Sequence, residues 1–166
     1  MHQVFLGIGG NLGNKQANFH KVYTHIQNEL GNIVLKSSVY ETPPWGFASD
    51  VPFWNQVLCV ETDFNPFEIL KRIENIDAVF GRKRSGNGYS SREMDIDILY
   101  FDDEVINTEN LTIPHPLLHK RLFVLVPLAE IAPDLFHPVL KLTSIEMLNS
   151  CDDKSMIKKV ENDVIS

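Results

Sequence analysis

The chain has 166 residues, with 15 Lys+Arg against 22 Asp+Glu and 43% hydrophobic residues, giving a formal charge of −7. That composition fits a single globular domain across 1–166, and the acidic balance argues against general nucleic-acid binding, which needs a basic footprint. No run approaches the about 18 apolar residues of a membrane span. Met1-His2-Gln3-Val4 lacks the basic start of a signal peptide, and Cys59 and Cys151 are too few for a disulfide scaffold, so the expectation is a reduced, cytoplasmic protein.

In chain order, Val4–Ile8 is apolar and β-prone and meets Gly9-Gly10-Asn11, the pattern of a strand ending in a turn. Asn14 can cap a helix that carries Phe19, Val22, Tyr23, Ile26 and Leu30 on one face and closes at Gly31. Ile33–Tyr40 reads as a second strand. Thr42-Pro43-Pro44-Trp45-Gly46 reads as loop, because two prolines fix φ and restrict the residues before them. A third strand covers about Trp54 to Thr62. Asn65, Pro66 and Glu68 then form a capping-box start for a helix with the stripe Ile69, Leu70, Ile73, Ile76 and Phe80, ended by Gly81.

Met94–Phe101 is the fourth strand, followed by Asp102-Asp103 as a hairpin turn into Val105-Ile106. Thr112–Pro116 is extended, Pro127 is expected to open a short helix through Ile131, and the last dozen or so residues are polar and expected to fray. Strand–helix–strand–strand–helix–strand is the split βαβ order of a ferredoxin-like α+β sandwich, here with C-terminal additions.

Charge and glycine are unevenly placed. Arg82–Arg92 carries four bases and no acid, and Glu93–Glu104 carries six acids and no base. Seven of the nine glycines fall in Gly7–Gly13 and Gly81–Gly88. Within the acidic block, Asp95 and Asp97 sit two apart on a strand, so both carboxylates share a face, with Met94, Ile96 and Ile98 opposite and Leu99 and Phe101 alongside the aspartates. Two carboxylates without His or Cys are hard oxygen ligands suited to Mg²⁺ on a phosphate; a solvated strand face is the plainer reading. The arginines before them favour the first reading, since guanidinium groups grip phosphate oxygens and glycines let a loop move over them. Asn11 and the first glycine stretch read as turn chemistry. His115, held between Pro114 and Pro116, is equally a loop histidine or a ligand contact. Trp45, Phe53, Trp54 and Phe123 can sandwich a flat heterocycle or simply fill a core, and Asn55 can pair with a ring edge.

These pieces, in order, resemble the 6-hydroxymethyl-7,8-dihydropterin pyrophosphokinase family. The segments are Ile8–Leu12, Tyr40–Gly46, Phe53–Val57, Gly81–Arg84, Arg92–Leu99, Glu104–Thr108, Leu111–His115 and Pro127–Pro133. The resemblance implies a ferredoxin-like αβα sandwich with a mostly antiparallel sheet, acting in folate biosynthesis. It implies transfer of the pyrophosphoryl group of ATP to the pterin hydroxymethyl oxygen, releasing AMP. Asp95 and Asp97 would hold two Mg²⁺ ions, with Arg82 and Arg92 acting on the phosphates. Thr42, Pro43, Trp45, Phe53, Asn55, Asp95 and Phe123 would bind pterin. Asp77, Arg84, Tyr89, Arg92, Ile98, Thr112, His115 and Arg121 would bind nucleotide. ATP and the pterin are the expected partners, with the protein acting as a monomer. This chain departs from the family at Gly10, Asp77, Gly88–Ser91, Asn110 and Pro116. The enzymatic alternative is another Mg-dependent nucleotide-using transferase of the D-x-D type.

Overall fold

In the computed structural model, which describes residues 1–42, 51–81 and 93–161, β1 (His2–Gly10) turns Val4, Leu6 and Ile8 to one face. The alternation sends Phe5, Gly7 and Gly9 to the other. Gly9 and Gly10 are therefore strand, and the turn expected at Gly9 begins only after them. Helix α1 (Lys15–Glu29) starts where expected, with Asn14 Oδ1 accepting from the Ala17 N–H at 3.0 Å, and buries Phe19, Val22 and Ile26. At Gly31 a Cβ would collide with the Glu61 carbonyl oxygen, so the chain can pass only as glycine.

The second strand expected over Ile33–Tyr40 is two strands, β2 (Asn32–Lys36) and β3 (Tyr40–Thr42), both alongside β4 (Phe53–Thr62). Ser37 explains the break. Its N–H donates to Val57 O at 2.9 Å, but its hydroxyl, not its carbonyl, accepts the Val57 N–H at 3.0 Å. The carbonyl takes the Gln56 amide instead, at 2.7 Å, so the ladder is interrupted while its polar groups stay satisfied.

Helix α2 (Pro66–Val79) has its full capping box: Asn65 Oδ1 accepts from the Glu68 N–H at 2.9 Å and Glu68 Oε1 from the Asn65 N–H at 3.0 Å. Such a cap contributes about 1 kcal/mol. Strand β5 (Asp95–Phe101) pairs with β1, and the register slips between Phe5 and Leu6: Phe5 opposes Tyr100, yet Leu6 opposes Ile98. Leu99 is the extra residue of a bulge. Leu99 and Tyr100 therefore pack on the same side of the sheet, and Phe101 crosses to the other. A strict two-residue period places Phe101 beside the aspartates, and the bulge moves it across.

The Asp102-Asp103 turn is present, with Asp102 at φ 49, an angle aspartate tolerates. The next strand does not fold back on β5. Strand β6 (Ile106–Asn107) pairs forward with β7 (Thr112–Ile113). Helix α3 (Leu122–Ile131) starts five residues before the expected Pro127, which lies inside it. Helix α4 (Ser144–Asn149) follows, and within the polar tail β8 (Lys158–Lys159) adds to β3. The main sheet is antiparallel in the order β5-β1-β4-β3-β8, with β2 also on β4.

Helices α1 and α2 cover the Val4–Leu6–Ile8 face, and α3 and α4 cover the Phe5–Val57–Cys59 face. The result is the ferredoxin-like α+β architecture, in three layers. Among the described residues no helix is long and apolar enough to cross a membrane.

The segment between α3 and α4 turns on buried His137, whose Nδ1 accepts the Val139 and Leu140 N–H groups at 3.2 and 3.0 Å. Burial first, and nearby His119 second, hold its pKa below the ordinary value. Below about pH 6.5 the unfolded chain takes up a proton that the folded chain refuses, so stability falls as pH drops. His137→Asn keeps an acceptor near the Nδ1 position and does not titrate. Urea midpoints between pH 5.5 and 7.5 should fall less steeply in that variant than in the parent.

Candidate active site

The register of three strands lays out the site. On β5, Asp95 stands opposite Gly9 and Asp97 opposite Gly7; on β4, Asn55 stands opposite Gly9 and Val57 opposite Gly7. Two rows, Asp95–Gly9–Asn55 and Asp97–Gly7–Val57, thus cross the sheet on the α3 side. The glycines carry no side chain: the Asn55 side chain packs over Gly9, and Leu99 lies beside Gly7. Arg121, Phe123 and Val124, at the start of α3, rise as a wall, with Thr42 and Phe53 at the far end. The cleft is partly open to solvent, with about 660 Å³ of space between and above its walls.

Its chemistry is mixed. Phe53, Val57, Leu99, Phe123 and Val124 are apolar; Asp95 and Asp97 are acidic; Arg121 is cationic. Asn55 Nδ2 donates to Thr42 Oγ1 at 3.3 Å, which orients that amide at the cleft end. Arg121 is 8% exposed, its guanidinium carbon lies 5.4 Å from the Phe123 ring centre, and burial lowers its pKa to about 10, so it remains charged at neutral pH.

A second cleft, of about 630 Å³, opens between β5, α2 and the β6–β7 hairpin. Leu70, Ile73, Ile96, Ile98 and Leu111 are its apolar lining, and Asp97, Glu109, Asn110, Thr112 and His115 its polar one. His115 is fixed from both sides of its backbone and ring: its N–H donates to Leu99 O at 3.0 Å, and its Nδ1 accepts the Leu117 N–H at 3.1 Å. Desolvation lowers its pKa, against an opposing pull from Asp95, so the ring is neutral at neutral pH with its proton on Nε2. Asp97 lines both clefts.

Of the residues singled out from the sequence, the first cleft gathers Thr42, Phe53, Asn55, Asp95, Asp97, Phe123 and Arg121. The second gathers Asp97, Ile98, Thr112 and His115. Arg121, grouped with the nucleotide contacts on sequence grounds, stands in the first cleft. Asp77 is buried on α2 and lines neither cleft. Trp54 packs on Phe19 with ring centres 5.9 Å apart, as core. Pro43, Trp45, Arg82, Arg84, Tyr89 and Arg92 lie outside the described residues. Sequence reasoning missed Gly7 and Gly9. The signal was present, since the alternation that buries Val4, Leu6 and Ile8 puts both glycines on one opposite face.

No set of three His, Cys, Asp or Glu side chains able to enclose a metal occurs among the described residues. Two carboxylates on one face instead suit a hard cation that keeps water and phosphate oxygens as its remaining ligands.

A family model described as 7,8-dihydro-6-hydroxymethylpterin-pyrophosphokinase (HPPK) matches residues 5–133. A 2-amino-4-hydroxy-6-hydroxymethyldihydropteridine pyrophosphokinase from Aquifex aeolicus (strain VF5) is 40% identical over 139 residues, 84% of this chain and 86% of that protein. The folic acid synthesis protein FOL1 of Dictyostelium discoideum is 38% identical over 145 residues, covering 87% of this chain but 22% of its own length. Among solved structures, Plasmodium falciparum HPPK-DHPS with pteroate superposes with a TM-score of 0.71 at 19% identity, over 89% of this chain and 42% of that one. The chain thus spans about two fifths of the HPPK-DHPS protein, a likeness of fold.

The two floor glycines make separable predictions. A Cβ on Gly9 would run into Asn55 Oδ1 and stand 2.8 Å from the Trp54 carbonyl oxygen, whereas one on Gly7 meets Leu99 carbons at an ordinary 3.5 Å. Gly9→Ala should cost about 1–3 kcal/mol in urea unfolding, as overpacking does, and Gly7→Ala should leave the midpoint nearly unchanged.

Proposed function

The chain belongs to the 7,8-dihydro-6-hydroxymethylpterin-pyrophosphokinase family, and from that membership we propose a division of labour between its two clefts. The established part is the activity: an ATP-dependent pyrophosphokinase of folate biosynthesis, moving the pyrophosphoryl group of ATP to the hydroxymethyl dihydropterin. The hydroxymethyl oxygen forms a bond to the β-phosphorus as it loses its proton, the bond from that phosphorus to the α,β-bridging oxygen breaks, and AMP leaves with the bridging oxygen.

The first cleft takes the pterin. Phe53 and Phe123 offer ring faces to a flat heterocycle, and Thr42 and Asn55 offer hydrogen-bonding groups to its edge, with Pro43 and Trp45 following Thr42 in sequence. The second cleft takes the adenosine end of ATP, with Ile98 on the base and Thr112 and His115 on the sugar side. The triphosphate then crosses the edge of β5. The observation that carries this reading is the position of Asp97, a single carboxylate on the walls of both clefts. Transfer has to occur where the two substrates meet, and only a group at the junction can address both.

Asp95 and Asp97 fit the role of holding Mg²⁺, two ions in this proposal, whose charge would neutralise the triphosphate as it reacts. The chain's own cations complement them. Arg121 sets a fixed positive charge in the first cleft, where the transferred pyrophosphate arrives. Arg82, Arg84, Tyr89 and Arg92, just ahead of β5 in sequence, supply the remaining phosphate contacts, with Arg82 and Arg92 acting during transfer. Asp77 supports the nucleotide side from α2, indirectly, since it is buried there. We further propose that residues 1–166 act as one pyrophosphokinase unit, as a monomer in the cytoplasm.

Incubation with ATP, Mg²⁺ and 6-hydroxymethyl-7,8-dihydropterin should release AMP only when the pterin is present. Asp95→Ala should lower turnover by about a thousandfold or more with an unchanged circular-dichroism spectrum and urea midpoint. Near-parental turnover in that variant would remove the carboxylate pair from the reaction.

A further inference from the structure

Helix α3 begins with a problem. Its first N–H groups have no partners within the helix, and Arg121, at the N-cap, makes no side-chain capping bond. The residue that caps it comes from 31 positions downstream. Asp153 Oδ2 accepts the Leu122 N–H at 3.0 Å. Its other oxygen, Oδ1, accepts the Ser155 N–H at 2.8 Å and the Ser155 hydroxyl at 2.6 Å. Both carboxylate oxygens are therefore committed, and the side chain cannot swing away without breaking bonds at both. A negative charge at this end of the helix also matches its dipole.

The location matters more than the cap itself. The Leu122 N–H belongs to the peptide joining Arg121 to Leu122, and the side chains on either side of that peptide's helical start, Arg121 and Phe123, form the wall of the first cleft. Fixing this peptide plane fixes the Cα positions of Arg121 and Leu122, and the helical turn that starts from it carries Phe123. Asp153 itself is absent from the lining of that cleft and lies beyond the segment matched by the family model.

We propose that Asp153 is a positioning residue for the first cleft: from the C-terminal segment it clamps the start of α3, and through that peptide it sets the Arg121–Phe123 wall against which the substrate binds. The inference rests on the first cleft being the pterin site. It gives the C-terminal addition a role in substrate affinity and not only in covering the sheet.

The test measures equilibrium binding of the pterin, together with steady-state kinetics, for Asp153→Ala, Asp153→Asn, Phe123→Ala and Asn65→Ala. Asp153→Ala should weaken pterin binding and raise its KM about fivefold, the scale of a lost cap, while kcat and the KM for ATP stay within about twofold. Asn keeps one acceptor for the Leu122 N–H but cannot accept from Ser155 as well, so Asp153→Asn should recover part of the loss. Asn65→Ala removes a cap from α2, away from the first cleft, and should lower stability without moving the pterin KM. If Asp153→Ala does not fold, Ser155→Ala, which loosens the carboxylate and spares its bond to Leu122, should raise the pterin KM in the same direction by less.

Weaker pterin binding in Phe123→Ala with none in the Asp153 and Ser155 variants would overturn the clamp while leaving the cleft assignment standing. Unchanged pterin binding in Phe123→Ala would overturn the cleft assignment and the clamp with it. An equal rise of the pterin KM in Asn65→Ala would reduce the Asp153 effect to general destabilisation and overturn the proposal.

Discussion

Asp95 and Asp97 owe their accessibility to the two residues paired with them. In an antiparallel sheet, directly opposed side chains on one face crowd each other at about 4.5–5.5 Å between Cβ atoms. Leu or Val at Gly7 and Gly9 would fill the space beside the carboxylates and make this part of the sheet ordinary apolar floor. Glycine at both positions removes that floor and leaves a hollow lined by Gly7, Gly9, Asp95 and Asp97, with Asn55 packed over Gly9 and Leu99 beside Gly7. The hollow weakens β1, because glycine contributes neither packing nor backbone stiffness. The opposite face compensates: Val4, Leu6 and Ile8 are buried against α1 and α2, and β4 backs β1 along its full length from His2 to Gly10.

From this register follows the position of everything else in the site. Since the floor is open on one face, that face needs a wall, and α3 provides it through Arg121, Phe123 and Val124. Since β5 has β1 on one side only in the sheet order, its other side is available for a second cleft, closed by α2 and the β6–β7 hairpin. Asp102 accepts the Gln3 N–H at 2.8 Å and its own N–H donates to Gln3 O at 2.8 Å, which anchors the turn after β5 to β1. The backbone N–H of His115 returns to Leu99 O, at the bulge, so the hairpin closes over the strand at its irregular point. Both clefts thus derive from one edge strand and the way its neighbours stop pairing with it.

Local signals in the sequence were sufficient wherever the cause of structure was local. Asn14 and the Asn65–Glu68 pair announce their helices because the capping partners are three residues away. Asp95 and Asp97 share a face because strand geometry guarantees it. The failures have distant causes. Nothing near Leu122 indicates a helix start, since its cap is Asp153 and the apolar run Leu122–Val126 fits strand or helix equally well. The split of β2 from β3 depends on Ser37 meeting Val57 and Gln56, about 20 residues along the chain. The phase change that moves Phe101 across the sheet depends on a bulge against Phe5 and Leu6. As for the site, the motif residues were readable, while the glycine floor was legible only as alternation and had been absorbed into a turn.

Net charge illustrates the same division between global and local. At −7 the chain repels an extended polyanion, yet a triphosphate is small and meets only the charges within a few ångströms, because at physiological salt the field of more distant groups is screened over about 8 Å. Among the described residues, the charges lining the first cleft are two carboxylates and one guanidinium. Carboxylates alone would reject phosphate, so the proposed function requires added cations, which that proposal assigns to bound metal and to the arginines that precede β5. The buried Arg121 is the fixed member of that set, held over Phe123 with its charge only partly hydrated. A guanidinium in that state interacts more strongly with an arriving phosphate than one in water would, because less solvent has to be displaced. The stiffness of the α3 start decides whether this advantage is realised, since a charge free to move away from the cleft would relax back into solvent.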